Sequence, residues 1–383
     1  MASVHGLDTV VAAATELSMV DGEAGRLVYR GYPAPELALH RSFAEVAHLL
    51  WAGDLPDATQ LLQMEESLKV ARVIPHDLQA LVDALPQGID VMSGVRTVVS
   101  AVVPCQEWPP TLADATLLTG MFPTIVASVY AKSIGQTLPA LHHGLSHVEN
   151  YLYMLSGEVP SAAHARALEA YLILTMDHGL NASTFASRIT LSTQSDMSAG
   201  LTAALGAMKG PLHGGAPSGV IDMLDKIQTR ENAEPWLRAK LDRSERLMGF
   251  GHRVYKTVDP RAEALKAVVR DLAGADPWFD LAVHVERTAV ALLEEYKPGH
   301  RLYTNVEFWA AAILRTVGIP KDLYTATFST SRVVGWTAHM LEQAQNNRLI
   351  RPQSQYVGPM PSSGAGGAGG AGARGSSSGA AAM

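Results

Sequence analysis

Along most of this chain apolar residues return every three or four positions, the spacing that places them on one face of an α-helix. These stretches are also rich in alanine and leucine, which favour helices. Strand-like alternation is rare by comparison. The pattern therefore predicts an all-α protein with at least six helices. The clearest predicted helices cover residues 161–177, 262–272, 279–296, 305–317 and 329–346.

The one region with a strand signal lies near the N-terminus. Residues 15–20 and 26–30 are separated by a segment that starts with an Asp-Gly pair, which favours a tight turn. We therefore expect a small β-hairpin there. Further on, Ser42 and Glu45 have the spacing of a capping box, in which each side chain bonds the other residue's backbone N–H. This predicts that a helix begins directly after Ser42.

Composition narrows the class of protein. The chain has 383 residues and is 47% hydrophobic, which predicts a sizeable core in one large domain or two. Its net charge of −7, without a basic stripe, argues against a nucleic-acid partner. The longest apolar region, 117–131, is interrupted by Gly120 and Pro123 and is expected to be too short to cross a membrane. Because Cys105 has no second cysteine to pair with and no signal peptide is recognisable, we expect a cytoplasmic protein.

Two patterns that resemble ligand sites are rejected. Residues 361–383 are almost entirely Gly, Ala and Ser and are predicted to form a disordered tail. A Gly-x-Gly-x-x-Gly run inside it follows no predicted strand, so it does not indicate a dinucleotide site. His142, His143 and His147 lack a carboxylate or cysteine at metal-ligand spacing, so no metal site is predicted.

Candidate chemistry is concentrated in the run from Met248 to Arg261. Gly249 and Gly251 allow a ligand to approach the backbone closely, and His252 follows them directly. A histidine and an arginine on such a loop suit a small anionic carbonyl compound. The imidazole can hydrogen-bond a polarised oxygen, and the guanidinium can hold a carboxylate through two parallel bonds. The alternative is a surface turn with two ordinary charged residues.

This run resembles the signature of the citrate synthase family, which is close to G-F/Y-G-H-x-V-x-x-x-x-D-P-R. Further motifs of that family match in the same order, and the similarity extends from about residue 17 to about residue 358. Several motifs in order are much more specific than one. The additional matches are 178–185 (HGLNASTF), 210–216 (GPLHGGA), 305–308 (NVEF), 331–336 (SRVVGW) and 351–352 (RP).

The resemblance implies a helical two-domain fold. We expect a large domain of residues 1–214 and 319–360, with a small domain of 215–318 inserted in it. Both substrates would bind in the cleft between the two domains. Closure of the domains would then assemble the site and exclude water.

The resemblance also implies three catalytic roles. His213 would donate a hydrogen bond to the forming enol of acetyl-CoA, and His252 would polarise the ketone of oxaloacetate. Glu307 would be the base that removes a proton from the acetyl methyl group, a position where most of the family has Asp. The additional methylene moves the carboxylate by roughly 1 Å, which can cost about 100-fold in a scaffold built for Asp but nothing in one adapted to Glu.

Glu307 also has a purely structural interpretation. With Thr304 it has the spacing of a capping box at a helix N-terminus. A helix N-terminus stabilises an ionised carboxylate, so this placement predicts a lowered pKa. Capping and catalysis are compatible, because a general base must be ionised to accept a proton.

The resemblance places four residues on oxaloacetate. Arg261, Arg332 and Arg351 would hold its two carboxylates, and His178 would add a contact. Arg351 would cross into the partner subunit's site, which implies a homodimer or a higher homo-oligomer. Taken singly, each arginine is more often a solvated surface charge.

The resemblance implies condensation of acetyl-CoA with oxaloacetate, followed by hydrolysis of citryl-CoA to citrate and CoA. The CoA thioester is a substrate, and no metal or redox cofactor is expected. Arg253 and Lys256 are candidates to meet the CoA phosphates. Two alternatives stay open: a 2-methylcitrate synthase that uses propionyl-CoA, and a catalytically weak paralogue that binds CoA or oxaloacetate. One methylene is worth only about 1–3 kcal/mol of discrimination, so motifs do not separate the first alternative.

Overall fold

A computed structural model describes residues 6–7, 10–104, 107–214, 216–252, 254–273 and 277–360. Residues 11–350 form one compact unit, and the two chain ends, 1–10 and 351–383, are grouped as a second. Residues 351–360 of the second unit are exposed and contain no helix or strand. The prediction of a disordered tail over 361–383 lies outside the described residues.

The compact unit is built mainly from helices, which confirms the predicted all-α class. Among the described residues there are three short strands and sixteen α-helices. The strands are β1 (Ser18–Asp21), β2 (Arg26–Tyr29) and β3 (Tyr32–Pro33). The helices are α1 (Ala34–His40), α2 (Phe43–Ala52), α3 (Ala58–Ala71), α4 (His76–Ala84), α5 (Val91–Val99), α6 (Leu112–Ile134), α7 (His147–Ser156), α8 (Ala162–Thr175), α9 (Ala182–Ser192), α10 (Met197–Met208), α11 (Ala216–Ile227), α12 (Arg230–Asp242), α13 (Pro260–Ala273), α14 (Pro277–Tyr296), α15 (Val306–Thr316) and α16 (Tyr324–Gln345).

Local signals set several of these boundaries as expected. Strands β1 and β2 form the predicted antiparallel hairpin, with Ser18 opposite Tyr29, and β3 adds a third strand. The capping box at the start of α2 is present, because Ser42 Oγ accepts from Glu45 N and the Glu45 carboxylate accepts from Ser42 N. The five predicted long helices correspond to α8, α13, α14, α15 and α16, with ends shifted by a few residues.

Helix α6 corrects one prediction. It runs without a break through Gly120 and Pro123, so its 23 residues are long enough to cross a membrane by length and composition, unlike any other helix in the described part of the chain. However, 83% of its most apolar window is buried inside the protein, as expected for a core helix. A Cβ added at Gly120 would lie 2.5 Å from Ala71 Cβ, so the glycine lets α3 and α6 pack closely.

Four helices converge where the sequence motifs meet. Helix α8 packs against α13, α15 and α16, and each of these three helices carries one candidate residue. They are Arg261 on α13, Glu307 on α15 and Arg332 on α16, while His178 follows the C-terminus of α8. The division into domains at 214 and 318 stays a prediction.

Candidate active site

A short backbone pairing joins the histidine loop to the segment before α15. Phe250 and Thr304 form an antiparallel bridge, and Gly251 N donates to Tyr303 O at 2.8 Å. The loop needs left-handed backbone at Gly249 (φ +84°) and Gly251 (φ +78°), which glycine adopts readily. The pairing therefore fixes the start of the His252 loop relative to the start of α15.

Asn305 is the N-cap of α15, and it corrects the capping box expected at Thr304. Its side-chain oxygen accepts from Glu307 N at 3.0 Å, and its amide nitrogen donates to Gly251 O at 2.8 Å. Glu307 is thus the second helical residue, and its carboxylate does not cap the helix. One side chain, Asn305, links the helix N-terminus directly to the glycine loop.

His252 is held in one orientation by backbone donors. Its Nδ1 accepts from Val254 N and Tyr255 N, each at 3.0 Å, so in the neutral ring the hydrogen is on Nε2. Burial, assisted by the positive charge of Arg261, lowers the pKa of His252 to about 4. Nε2 lies 3.4 Å from Arg261 Nη2, which is also a donor. Two donors this close together can both donate to one ligand oxygen.

Arg261 is fixed by Asp259, which is fully buried. The Asp259 carboxylate accepts from Arg261 Nε at 3.0 Å and from Nη2 at 2.8 Å, and it also accepts from Val306 N at 3.1 Å. Burial alone would raise the pKa of Asp259, but the charge and hydrogen bonds of Arg261 hold it below its usual value. Asp259 therefore ties the guanidinium to the N-terminus of α15.

Arg332 and His178 lie deeper in the same region. Arg332 is buried, its Nε donates to Thr175 O at 2.7 Å, and its guanidinium carbon lies 4.7 Å from the centre of the Phe328 ring. His178 Nε2 is 3.2 Å from Tyr255 Oη, and its ring is edge-on to His252. Burial lowers the pKa of His178 well below its usual value, and Arg261 adds to this effect.

Tyr255 is a site residue that the motif comparison did not single out. It is buried, its hydroxyl contacts His178, and its ring lies beneath the Arg261 guanidinium at 5.7 Å. The signal that could have found it is its position within the signature run, three residues after His252. Tyr255 packs the histidines and the arginine into one cluster.

His213 lies in another part of the site, where its ring contacts Ser183. Its Nε2 is 2.8 Å from Ser183 Oγ, which also accepts from Trp336 Nε1 at 3.1 Å. Burial, then the charge of Arg332, lowers the pKa of His213 to about 4, so the ring is neutral at ordinary pH. A Cβ added at Gly214 would be 2.2 Å from Met208 O, so only glycine fits behind this histidine.

Glu307 differs from the other charged groups of the site. Burial raises its pKa to about 7, although the positive charges of Arg261 and Arg332 act in the opposite direction. Within the described ranges no side chain or backbone N–H donates to its carboxylate. The lowered pKa expected from the helix N-terminus is therefore wrong: burial without hydrogen bonds outweighs the helix dipole.

A family model for the citrate synthase C-terminal domain matches residues 6–353. This chain belongs to the citrate synthase family. Citrate synthase 2 of Bacillus subtilis is 38% identical to it over 371 residues, covering 94% of this chain and 97% of the relative. The 2-methylcitrate synthase of Mycobacterium tuberculosis is also 38% identical, over 360 residues, covering 92% of this chain and 90% of the relative.

Solved structures of this family share the fold. The citrate synthase of Thermotoga maritima superposes with a TM-score of 0.84 at 37% identity, covering 93% of this chain and 96% of that one. The citrate synthase of Thermoplasma acidophilum, solved with carboxymethyl coenzyme A and oxaloacetate, gives 0.85 at 32% identity, again covering 93% and 96%. The protein is accordingly a transferase of the citrate synthase type.

Three further residues were predicted from the family motifs: Lys256, Arg253 and Arg351. Lys256 has an exposed side chain, and its backbone N–H donates to Gly22 O at 2.9 Å, which ties the loop to the β1–β2 turn. Arg253 lies outside the described residues. Arg351 is exposed and belongs to the unit formed by the chain ends. The roles assigned to all the site residues stay predictions.

No group of three or more His, Cys, Asp or Glu side chains in the described part of the chain is arranged to hold a metal ion. Of the three histidines considered earlier, His147 stacks on Phe43 with ring centres 4.5 Å apart. His142 lies edge-on to Tyr153. These two rings therefore have packing roles.

Proposed function

We propose that this protein is a citrate synthase, which condenses acetyl-CoA with oxaloacetate and hydrolyses citryl-CoA to citrate and CoA. The single observation that carries the proposal is the combination at one site of a carboxyl group with a pKa of about 7 and two neutral histidines beside buried arginines. A base needs a pKa near the working pH, and the developing negative charges need donors.

Oxaloacetate fits the cluster around His252. Arg261 and Arg332 are cations that would hold its two carboxylates, and His178 would add a polar contact. His252 Nε2 and Arg261 Nη2, which meet 3.4 Å apart as two donors, would share the ketone or an adjacent carboxylate oxygen. Polarisation of the ketone by the Nε2 hydrogen makes its carbon electrophilic.

In this proposal the acetyl group lies between Glu307 and His213, and its methyl carbon forms the new carbon–carbon bond with oxaloacetate. The Glu307 carboxylate takes a proton from the methyl group of acetyl-CoA, and His213 donates a hydrogen bond to the resulting enol oxygen. The methyl carbon then attacks the ketone carbon, whose oxygen takes the Nε2 proton of His252 and becomes the hydroxyl of citryl-CoA. His252 regains a proton, and Glu307 releases the one that it accepted, which restores both groups for the next turnover. Water finally cleaves the thioester, which gives citrate and free CoA.

The support of His213 is consistent with its role as a donor. Trp336 donates to Ser183 Oγ, so the Ser183 hydrogen is free to point to His213 Nε2 or to Asn181 Oδ1, each 2.8 Å away. When Ser183 donates to Nε2, the His213 hydrogen must be on Nδ1. That tautomer leaves Nδ1–H for the thioester oxygen.

Coenzyme A enters the proposal as a substrate, and the reaction as written needs no metal or redox cofactor. Arg253 and Lys256 are proposed to meet its phosphates. A cytoplasmic location is proposed because oxaloacetate and acetyl-CoA would both be available there and the chain has a single cysteine.

The test of this function is steady-state CoA release with oxaloacetate, comparing acetyl-CoA with propionyl-CoA and identifying the product. The propionyl-CoA comparison matters because a 2-methylcitrate synthase and a citrate synthase are equally identical to this chain. A higher kcat/KM with acetyl-CoA supports the proposal. Preference for propionyl-CoA makes the protein a 2-methylcitrate synthase, and no release with either would leave a paralogue that only binds.

A homodimer with shared sites is a second part of the proposal, in which Arg351 reaches the partner's oxaloacetate. Arg351→Ala should weaken oxaloacetate binding, by about 2–5 kcal/mol if a buried carboxylate loses its partner. Mixing Arg351→Ala with Glu307→Gln should restore part of the activity through hybrid dimers. Hybrids that form but remain inactive would refute the cross-subunit assignment.

A further inference from the structure

A chain of buried polar side chains lies directly behind His178. It runs from Asp177 through His339 and Arg188 to Glu342, and we refer to these four residues as the buried relay. Asp177 and His339 are completely buried, and Arg188 is nearly so. The distances are 3.1 Å between Asp177 Oδ1 and His339 Nε2, 2.9 Å between His339 Nδ1 and Arg188 Nη1, and 2.6 Å between Arg188 Nη1 and Glu342 Oε2.

The order of donors in the buried relay is fixed. A guanidinium can only donate, so His339 Nδ1 must accept from Arg188. The hydrogen of the neutral ring is then on Nε2, where it is donated to Asp177. The outer groups thereby orient the inner ones: Glu342 orients Arg188, and Arg188 orients His339. His339 in turn orients Asp177.

Asp177, which His339 holds, also makes hydrogen bonds with the turn that carries His178. Its Oδ2 accepts from Ser18 Oγ and from Gly179 N, the latter at 3.0 Å. Tyr29 Oη donates to Asp177 O at 2.9 Å. Gly179 has φ +60°, so the turn after the histidine has a left-handed residue that these bonds hold in place.

Helix α16 closes the turn from the other side. A Cβ added at Gly335 would lie 2.2 Å from Met176 O and 2.9 Å from Asp177 Oδ1, so the helix is in direct contact with the turn. His339 comes one helical turn after Gly335 on the same helix, and Arg332 comes nearly one turn before it. Two members of the buried relay, His339 and Glu342, thus lie on the helix that also carries Arg332, a proposed oxaloacetate ligand.

We propose that Asp177, His339 and Arg188 are positioning residues that hold His178 at its contact with oxaloacetate. None of them touches the substrate in this proposal: they act through the 176–179 turn. The inference rests on the proposed function, because it assumes that His178 meets oxaloacetate.

The test compares His339→Gln with His339→Leu. Glutamine can place an amide N–H towards Asp177 and its oxygen towards Arg188, whereas leucine can do neither. We expect His339→Leu to raise KM for oxaloacetate by about 10–100-fold, as a displaced contact residue would. KM for acetyl-CoA should change little, and His339→Gln should recover most of the loss. His147→Leu is the matched control, because it removes a buried imidazole that lies outside the relay.

The outcomes separate positioning from simple stability. If His339→Leu lowers the melting temperature but leaves KM for oxaloacetate equal to that of His147→Leu, the inference is wrong. Should the leucine variant fail to fold, Asp177→Asn supplies the same measurement, and an unchanged KM there also overturns the inference. If the wild type releases no CoA, the proposed function fails on its own, and the same order of variants is then expected in calorimetric titrations with oxaloacetate.

Discussion

Asp259 and Glu307 are two carboxyl groups that both experience the charge of Arg261, yet their pKa values move in opposite directions. The Asp259 carboxylate accepts four hydrogen bonds. Two come from the guanidinium of Arg261, one from Arg261 N and one from Val306 N. Among the described residues nothing donates to the Glu307 carboxylate. At Asp259 the charge of the directly paired Arg261, together with its hydrogen bonds, outweighs burial, whereas at Glu307 burial outweighs the charge of the same arginine.

The first donors of α15 explain the contrast. Val306 N is taken by Asp259, and Glu307 N is taken by Asn305. The helix N-terminus thus stabilises its neighbours and not the carboxylate on its own second residue. The carboxyl group of Asp259 therefore has its hydrogen-bond partners in place, while no donor to the Glu307 carboxylate is found in the described part of the chain.

The contrast is tested most strongly by Glu307→Gln, which keeps the shape and removes the base. Turnover should fall by about 10²–10⁴-fold, the usual contribution of a general base. Oxaloacetate affinity, measured by calorimetry, should remain close to that of the wild type. Glu263→Gln on the exposed face of α13 is the control and should keep full activity. Normal turnover in Glu307→Gln would remove the residue from the mechanism.

Asp259→Asn tests the other carboxyl group. Removing one partner of a buried ion pair strands Arg261, so the free energy of unfolding should fall by about 3–5 kcal/mol. Urea denaturation measures this change. The control is Asp222→Asn, whose partner Lys321 is solvent-exposed. An exposed pair contributes about 0–1 kcal/mol, so equal losses in the two variants would contradict a special role for Asp259.

Glu307→Asp asks whether the scaffold is adapted to the longer side chain. Shortening the side chain withdraws the carboxylate by roughly 1 Å and should lower turnover by about 10–100-fold. Single-turnover CoA release measures the chemical step directly. Faster turnover in this variant than in the wild type would mean that the glutamate is a misplaced base.

The pH profile gives the smallest effect. Because Glu307 must be ionised to act and its pKa is about 7, kcat/KM should rise with pH and level off above about 7. Below that value it should fall by about tenfold per pH unit. His213 and His252, with pKa values of about 4, stay neutral over this range and should add no second step. A profile that is flat from pH 5 to pH 8 would contradict the raised pKa.

Much of the fold followed from local sequence signals. The Ser42 capping box, the N-terminal hairpin and the five long helices depend on residues close together in the chain, and all are present. Helix α6 was mispredicted because Gly120 and Pro123 are local signals for a break in a helix. In the folded protein the helix continues through both residues. Packing is a property of the partner helix, here α3, and is not encoded in the segment itself.

The sequence motifs named several residues that lie together in the structure, although their roles stay predictions and their contacts were not foreseen. The motifs named the residues that converge near His252, because a family signature fixes residue types at fixed spacing. The pKa of Glu307 was misjudged because the first donors of α15 are used by other side chains: Val306 N by Asp259, which is 48 positions before Glu307 in the sequence, and Glu307 N by Asn305. Tyr255 and Ser183 were overlooked because their importance lies in contacts with residues from distant parts of the chain.

The buried carboxyl group of Glu307 also has a consequence for folding. Its pKa in the folded protein, about 7, lies above the ordinary 4.5, so the protonated form favours the fold. This contribution is fully present below pH 4.5 and is lost as the pH rises through 7; at 1.36 kcal/mol per pKa unit it amounts to roughly 3 kcal/mol. The pH range that ionises the base is thus the range in which the base destabilises the protein. If Glu307 is the base that we propose, the protein retains at this position a group that lowers its stability at neutral pH.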